Sequence, residues 1–142
     1  MKIAIFALFL LSSQAFACPD LTGSYLCKAG SRTANKEIHS TNQGYIINSD
    51  GNELEYFTDG RVVEVPETDS FKDGKYTSVC NGDQFVVTFT ATLMYEGSPI
   101  AKQVSRSTYS KNGDNLKLEI KTKSKNIPLP TINFNCTPVQ AL

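Results

Sequence analysis

From Thr22 onward the chain alternates apolar and polar positions with a period of two. The alternation is clearest in Phe85, Val87, Phe89, Ala91, Leu93 and Tyr95, and again in Leu116, Leu118 and Ile120 against Lys117, Glu119 and Lys121. Successive side chains of an extended strand point to opposite faces, so runs of this kind bury one face and wet the other. Shorter runs at 22–28, 37–41, 44–48, 53–58, 61–65, 75–80, 101–110 and 131–136 read the same way, and no window carries a helical apolar stripe over three turns. Turn formers punctuate them: Asn42-Gln43-Gly44, Asp50-Gly51-Asn52, Asp59-Gly60, Asp73-Gly74, Asn81-Gly82-Asp83, Glu96-Gly97-Ser98-Pro99 and Asn112-Gly113-Asp114. The pattern predicts an all-β domain, an antiparallel up-and-down meander of about 8–10 strands, and a meander that long closes into a barrel or splits into two sheets. Tight turns between neighbours leave few long crossings, which favours a closed or nearly closed barrel over a sandwich. Residues 126–130 read as an irregular crossing before the last strand, and no repeat or linker divides residues 18–142, which are expected to form one domain.

One strand breaks the alternation. In the run 101–110, turning Val104 inward brings Arg106 and Thr108 with it, whereas turning Tyr109 inward brings Ser107, Ser105 and Gln103. Either a bulge switches the parity or one wall of the interior carries polar groups. A few convergent polar groups among apolar residues are what a small-molecule cavity requires, so the candidate ligand-binding residues are Arg106 and Tyr109 with Tyr45, Phe85 and Phe89. Tyr45, Ile47, Leu54, Tyr56, Phe85, Phe89, Leu93, Leu118 and Phe134 are the expected interior, with Phe89 in its core.

The N-terminus changes the setting. Met1-Lys2 followed by nine uninterrupted apolar residues, Ile3 to Leu11, is too short to span a bilayer, and Ala15-Phe16-Ala17 supplies small residues at the two positions a signal peptidase reads. Residues 1–17 are therefore expected to be a signal peptide cleaved after Ala17, and the protein to be periplasmic or secreted. A Cys at the new N-terminus raises the lipoprotein alternative, but Ala15 stands where a lipobox has Leu. In an oxidising compartment an even set of cysteines, Cys18, Cys27, Cys80 and Cys136, is expected to form two disulfides, and without C-x-x-C spacing it does not read as a metal site. Three connectivities are open. In a closed meander the last strand lies beside the first, which favours Cys18–Cys136 and leaves Cys27–Cys80 by elimination.

Composition adds limits. The 142 residues hold 14 Lys+Arg and 14 Asp+Glu, so the total charge is zero and gives no overall basic footprint for nucleic acid or an anionic surface. The neutral total hides an asymmetry: residues 50–73 carry eight acids against Arg61 and Lys72, a net of −6, while residues 102–125 carry seven bases against Asp114 and Glu119, a net of +5. The two segments are expected on different walls.

Two likenesses accompany this pattern. The opening Asp20-Leu21-Thr22-Gly23-Ser24-Tyr25 followed by hairpins resembles the first strand of lipocalin-like proteins, with Tyr25 where that family has Trp. The resemblance implies a small exported β-barrel that carries an apolar or amphipathic ligand. Tyr76, Cys80, Gly82, Val87 and Phe89, then Ser107 and Tyr109, resemble the layout of bacterial c-type lysozyme inhibitors, which implies a protein-interaction role.

Catalytic parts are sparse. His39 is the one histidine and has no nucleophile motif beside it. Glu53 with Glu55, and Glu64 with Glu67, read as the solvated faces of strands rather than as a glycosidase pair. Asn48, Asp50 and Asn52 suit a hairpin turn better than a calcium loop. The expected function is that of a non-enzymatic, lipocalin-like exported barrel binding a small apolar or amphipathic ligand, without cofactor or metal. The alternative is a protein-interaction or hydrolase-inhibitor module working through its charged surface. A monomer is expected, with no nucleic-acid partner and no transmembrane segment.

Overall fold

The computed structural model describes residues 18–140, so the predicted signal peptide lies outside the described residues. Eleven strands and no helix make up the described chain: β1 Gly23–Ala29, β2 Arg32–Ser40, β3 Gly44–Ser49, β4 Asn52–Phe57, β5 Val63–Glu64, β6 Phe71–Asn81, β7 Gln84–Tyr95, β8 Ser98–Asn112, β9 Asn115–Ser124, β10 Ile127–Pro128 and β11 Ile132–Pro138. They form one antiparallel sheet in the order β4-β3-β2-β1-β11-β9-β8-β7-β6-β5, with β10 continuing beside β9. Two meanders are thus joined where β11 enters between β1 and β9.

The sheet curls strongly but does not close, which corrects the expectation of a closed barrel. β4 and the β5–β6 pair are consecutive in the chain yet lie at opposite edges, so curling brings the edges together. No ladder joins β4 to β6. Side chains of β6 reach across instead: the Tyr76 hydroxyl donates to the Glu55 carbonyl and the Ser78 hydroxyl to the Phe57 carbonyl. Outward-facing carbonyls of an edge strand need partners, and these two hydroxyls supply them without a paired strand. A single bridge, Asp59 to Val79, continues the seam.

The meander positions follow the sequence pattern, with three differences, the first being that residues 126–130, expected as an irregular crossing, hold the short strand β10 paired with β9. β2 begins at Arg32, earlier than expected, because its first half, Arg-Thr-Ala-Asn-Lys, is mostly polar and carries no alternation to read. Asp73-Gly74 is not a turn but a bulge inside β6, where the register against β7 shifts between Lys72 and Lys75 and Asp73 takes a positive φ of 54°. Gly44 is required at the start of β3: a Cβ there would lie 1.9 Å from the Tyr56 carbonyl oxygen of the neighbouring strand.

All four cysteines are oxidised, but the pairing is Cys18–Cys80 and Cys27–Cys136, which corrects the predicted connectivity. The last strand does lie beside the first. Its antiparallel register sets Cys136 directly opposite Cys27, while Cys18 precedes β1 and reaches the end of β6. Residues 18–21 lie across one end of the half-barrel as a lid. Leu21 is wholly buried, the Tyr25 hydroxyl donates to its carbonyl, and the Tyr45 hydroxyl donates to the Pro19 carbonyl. Beneath this lid Phe85 is the hub of an aromatic core, with ring centroids of Tyr45, Tyr109 and Tyr56 at 4.5, 5.7 and 6.1 Å.

Candidate functional site

The parity of β8 is settled without a bulge in 101–110. Arg106 and Val104 are exposed on the convex face, and Tyr109, Ser107, Ser105 and Gln103 face the concave side. The polar wall therefore exists. Register across the sheet arranges it in rows: Phe85, Tyr109 and Leu118; Val87, Ser107 and Ile120; Phe89, Ser105 and Thr122; Ala91, Gln103 and Ser124. A polar column on β8 and the end of β9 is thus flanked by an apolar column on β7 and by Phe134 and Ile132 of β11, which stand opposite Leu118 and Ile120. The Ser105 and Thr122 hydroxyls lie 3.2 Å apart, and both side chains are half-buried.

The five residues singled out from the sequence do not converge. Tyr45 and Phe85 are fully packed in the aromatic core beneath the lid, and Arg106 points away from the interior. Phe89 is half-buried against the core, less enclosed than expected, with the Phe71 ring 5.7 Å away. Tyr109 lies at the boundary between packed core and open concavity. It is 6% exposed, and its hydroxyl has no hydrogen-bond partner among the described residues, yet no side-chain polar atom is both sealed and unpartnered. Burial and the neighbouring Tyr56 push the Tyr109 phenol well above its ordinary value, so it is a neutral hydrogen-bonding group at any physiological pH.

Thr122, Ser124 and Tyr56 complete the concave surface, and the sequence had a signal for the first two. Leu116, Leu118 and Ile120 continue with the same period into Thr122 and Ser124, but the loss of apolar character hides the strand's continuation. Lys36 also lies on the inward face of β2, with its amine 2.7 Å from the Ser49 hydroxyl; desolvation lowers its pKa, partly offset by Asp50.

Elsewhere the chemistry is thin. His39 Nε2 lies 2.9 Å from Glu37 Oε1 with both side chains more than half exposed. Among the described residues no group of His, Cys, Asp and Glu is placed to hold a metal ion, and no helix is long and apolar enough to cross a membrane. A surface groove of about 470 Å³ beside β5 is walled by Glu64, Glu67 and Asp73 against a single Lys75 and shares no residue with the polar column. No family model, curated protein or solved structure matches this chain.

Proposed function

We propose that this protein is an exported, lipocalin-like carrier that holds a small amphipathic ligand in the open end of its half-barrel. The observation that carries the reading is a column of neutral polar groups on β8 and β9 set between apolar columns, headed by the buried Tyr109 hydroxyl, for which the described residues show no hydrogen-bond partner. A polar group at such depth is normally satisfied, and a ligand hydroxyl or carbonyl would satisfy this one. The column of Gln103, Ser105, Ser107, Thr122 and Ser124 contains no charge, so it suits a neutral polar head, while Phe89, Ile120 and Phe134 suit an apolar body. Two disulfides fit an oxidising location, consistent with removal of residues 1–17 as a signal peptide on export.

The alternative, a protein-interaction or hydrolase-inhibitor module, draws on the separation of charge around the sheet. The acidic segment runs along β4, β5 and the seam, and the basic segment occupies β8 and β9, several strands away. Native mass spectrometry of protein purified from its host separates the two readings. A co-purifying small molecule is expected, and Tyr109→Phe should weaken its retention about tenfold while leaving stability within about 0.5 kcal/mol, because that hydroxyl has no partner to lose. A ligand-free protein, or a load indifferent to Tyr109→Phe, would count against the carrier reading.

A further inference from the structure

We propose that the convex face of β6, β7 and β8 is a binding groove for an anionic polysaccharide chain. The neutral total charge hides how strand register sorts the bases. Across β7, Thr92 stands between Lys72 and Lys102, Thr90 between Lys75 and Val104, and Thr88 between Thr77 and Arg106. β9 extends two of these rows, with Lys123 opposite Val104 and Lys121 opposite Arg106. A central column of threonines on β7 is thus flanked by basic residues on both neighbouring strands.

The bulge in β6 builds one of those flanks. Residues three apart on a regular strand face opposite sides, yet Lys72 and Lys75 pair with Thr92 and Thr90, which are two apart. The extra residue between the lysines switches the parity and sets both on the face that carries the threonines. Strand spacing places the β6 and β8 backbones about 10 Å apart across this column, with successive rows about 7 Å apart. A groove of about 360 Å³ lies here, lined among others by Lys75, Thr90, Thr92, Lys102 and Val104, with Asp73 of the bulge at its wall. Lys75, Lys102 and Arg106 are exposed and the threonines half-buried, so the cationic groups stand above a floor of hydroxyls.

A hydroxyl floor between ammonium walls matches a chain that presents hydroxyls and carboxylates or sulfates at short intervals. Other polyanions fit it less well. Single-stranded nucleic acid is held on aromatic platforms, and none of these rows carries an aromatic side chain. Protein interfaces bury aromatic and apolar anchors in a core poor in lysine, whereas Val104, 43% exposed, is the one large apolar side chain lining the groove. Arg106 directly opposite Lys121 is a like-charge pair, which costs stability that an overlying anion would offset. The Glu119 carboxylate, 3.1 Å from the Lys121 amine, neutralises only one of the two charges. The face is the outside of the half-barrel, so the proposal does not depend on an interior ligand.

The test is titration of the oxidised protein with polygalacturonate and with heparin, which separate carboxylated from sulfated chains, and with neutral dextran, polyglutamate and oligo-dT at matched salt. Binding to at least one of the two anionic polysaccharides, and none to dextran, is expected. Lys75→Gln with Lys102→Gln should weaken that binding about tenfold, the loss of two exposed ion pairs. Lys28→Gln with Arg32→Gln removes the same charge from β1 and β2 and should leave the affinity unchanged within about twofold. Thr90→Val with Thr92→Val keeps the β-branched shape, removes the hydroxyl floor and should weaken polysaccharide binding several-fold. Failure to bind either polysaccharide would overturn the inference. Equal losses from the two charge-removing pairs would do the same, since net charge alone would then be read, and so would indifference to the threonine pair. Tighter binding of polyglutamate or oligo-dT than of either polysaccharide, lost with Lys75 and Lys102, would reassign the groove to an acidic protein or to a nucleic acid.

Discussion

The two ends of the half-barrel are built on the same strands and differ in what covers them. At the lidded end the inward residues are Tyr25, Tyr45, Phe85, Tyr109 and Leu116, all at most 6% exposed, and residues 18–21 lie across them. At the open end the inward residues pass to Ser105, Gln103, Thr122 and Ser124, all only partly buried. Strand length explains the difference. β3 and β4 have 6 residues each, whereas β7, β8 and β9 have 12, 15 and 10, so the long hairpins overhang the short ones. An apolar inner face along the whole of that overhang would add to the exposed apolar surface. Neutral polar residues on that stretch keep it soluble and leave a concave surface able to take a ligand.

The strongest way to break this comparison is to release the lid. Cys18→Ser with Cys80→Ser opens a bridge spanning 62 residues and is expected to cost about 4 kcal/mol in denaturant unfolding, since cross-links over loops of that length constrain the unfolded chain by about that amount. Hydrogen exchange of the amides around Leu21 and Tyr45 should accelerate in the same variant, while amides of the β7–β8 overhang should be unaffected. A cost below about 1 kcal/mol would mean that the lid is held by packing alone.

Next in size is the contrast between two phenylalanines four residues apart on one face of β7. Phe85 is wholly buried at the aromatic hub, and Phe89 is half-buried where the core meets the open end. Phe85→Ala should cost about 3 to 5 kcal/mol, the usual cost of emptying a packed aromatic site, and Phe89→Ala about half of that, because part of its ring is already wet. Equal losses measured by thermal unfolding would mean that the open end is as tightly packed as the lidded one.

These two residues also mark how far the sequence could be read. Alternation placed both on the inward face, and strand positions, hairpin turns and the neighbourhood of first and last strands followed from period and turn chemistry alone. What it could not show was depth. Phe85 and Phe89 are indistinguishable in a period-two pattern, and only the unequal lengths of β3–β4 and β7–β9 separate a packed site from an open one. The disulfide pairing escaped for a related reason: adjacency of β1 and β11 was inferable, but the register that sets Cys136 opposite Cys27 depends on where each strand begins. Closure was misjudged because a seam bridged by the Tyr76 and Ser78 side chains leaves no trace in hydrophobic periodicity. Of the candidate site, the polar wall was legible as a clash of parities between Val104 and Tyr109. The outward side of Arg106 is set by its register opposite Thr88 and Lys121, which the pattern of apolar positions does not carry.

The smallest expected effect, and the one that tests how dry the lidded half is, comes from its tyrosines. Burial pushes the Tyr45 phenol up to about 12, with Asp20 adding to the shift, and desolvation raises Tyr56, Tyr76 and Tyr109 above the ordinary value near 10. A phenol whose folded pKa exceeds its unfolded pKa keeps its proton in the native state after the unfolded chain has lost it. The unfolded chain then binds fewer protons, so stability is fully present below about pH 10 and declines as pH rises toward about 12. Ionisation followed at 295 nm should show fewer phenolates in the native protein than in the denatured protein throughout that window. Tyr109→Phe removes one late-titrating phenol and should make the alkaline decline in stability shallower. If native and denatured chains ionise together from pH 10, water reaches the cluster around Phe85, and the two ends of the half-barrel differ less than their side chains imply.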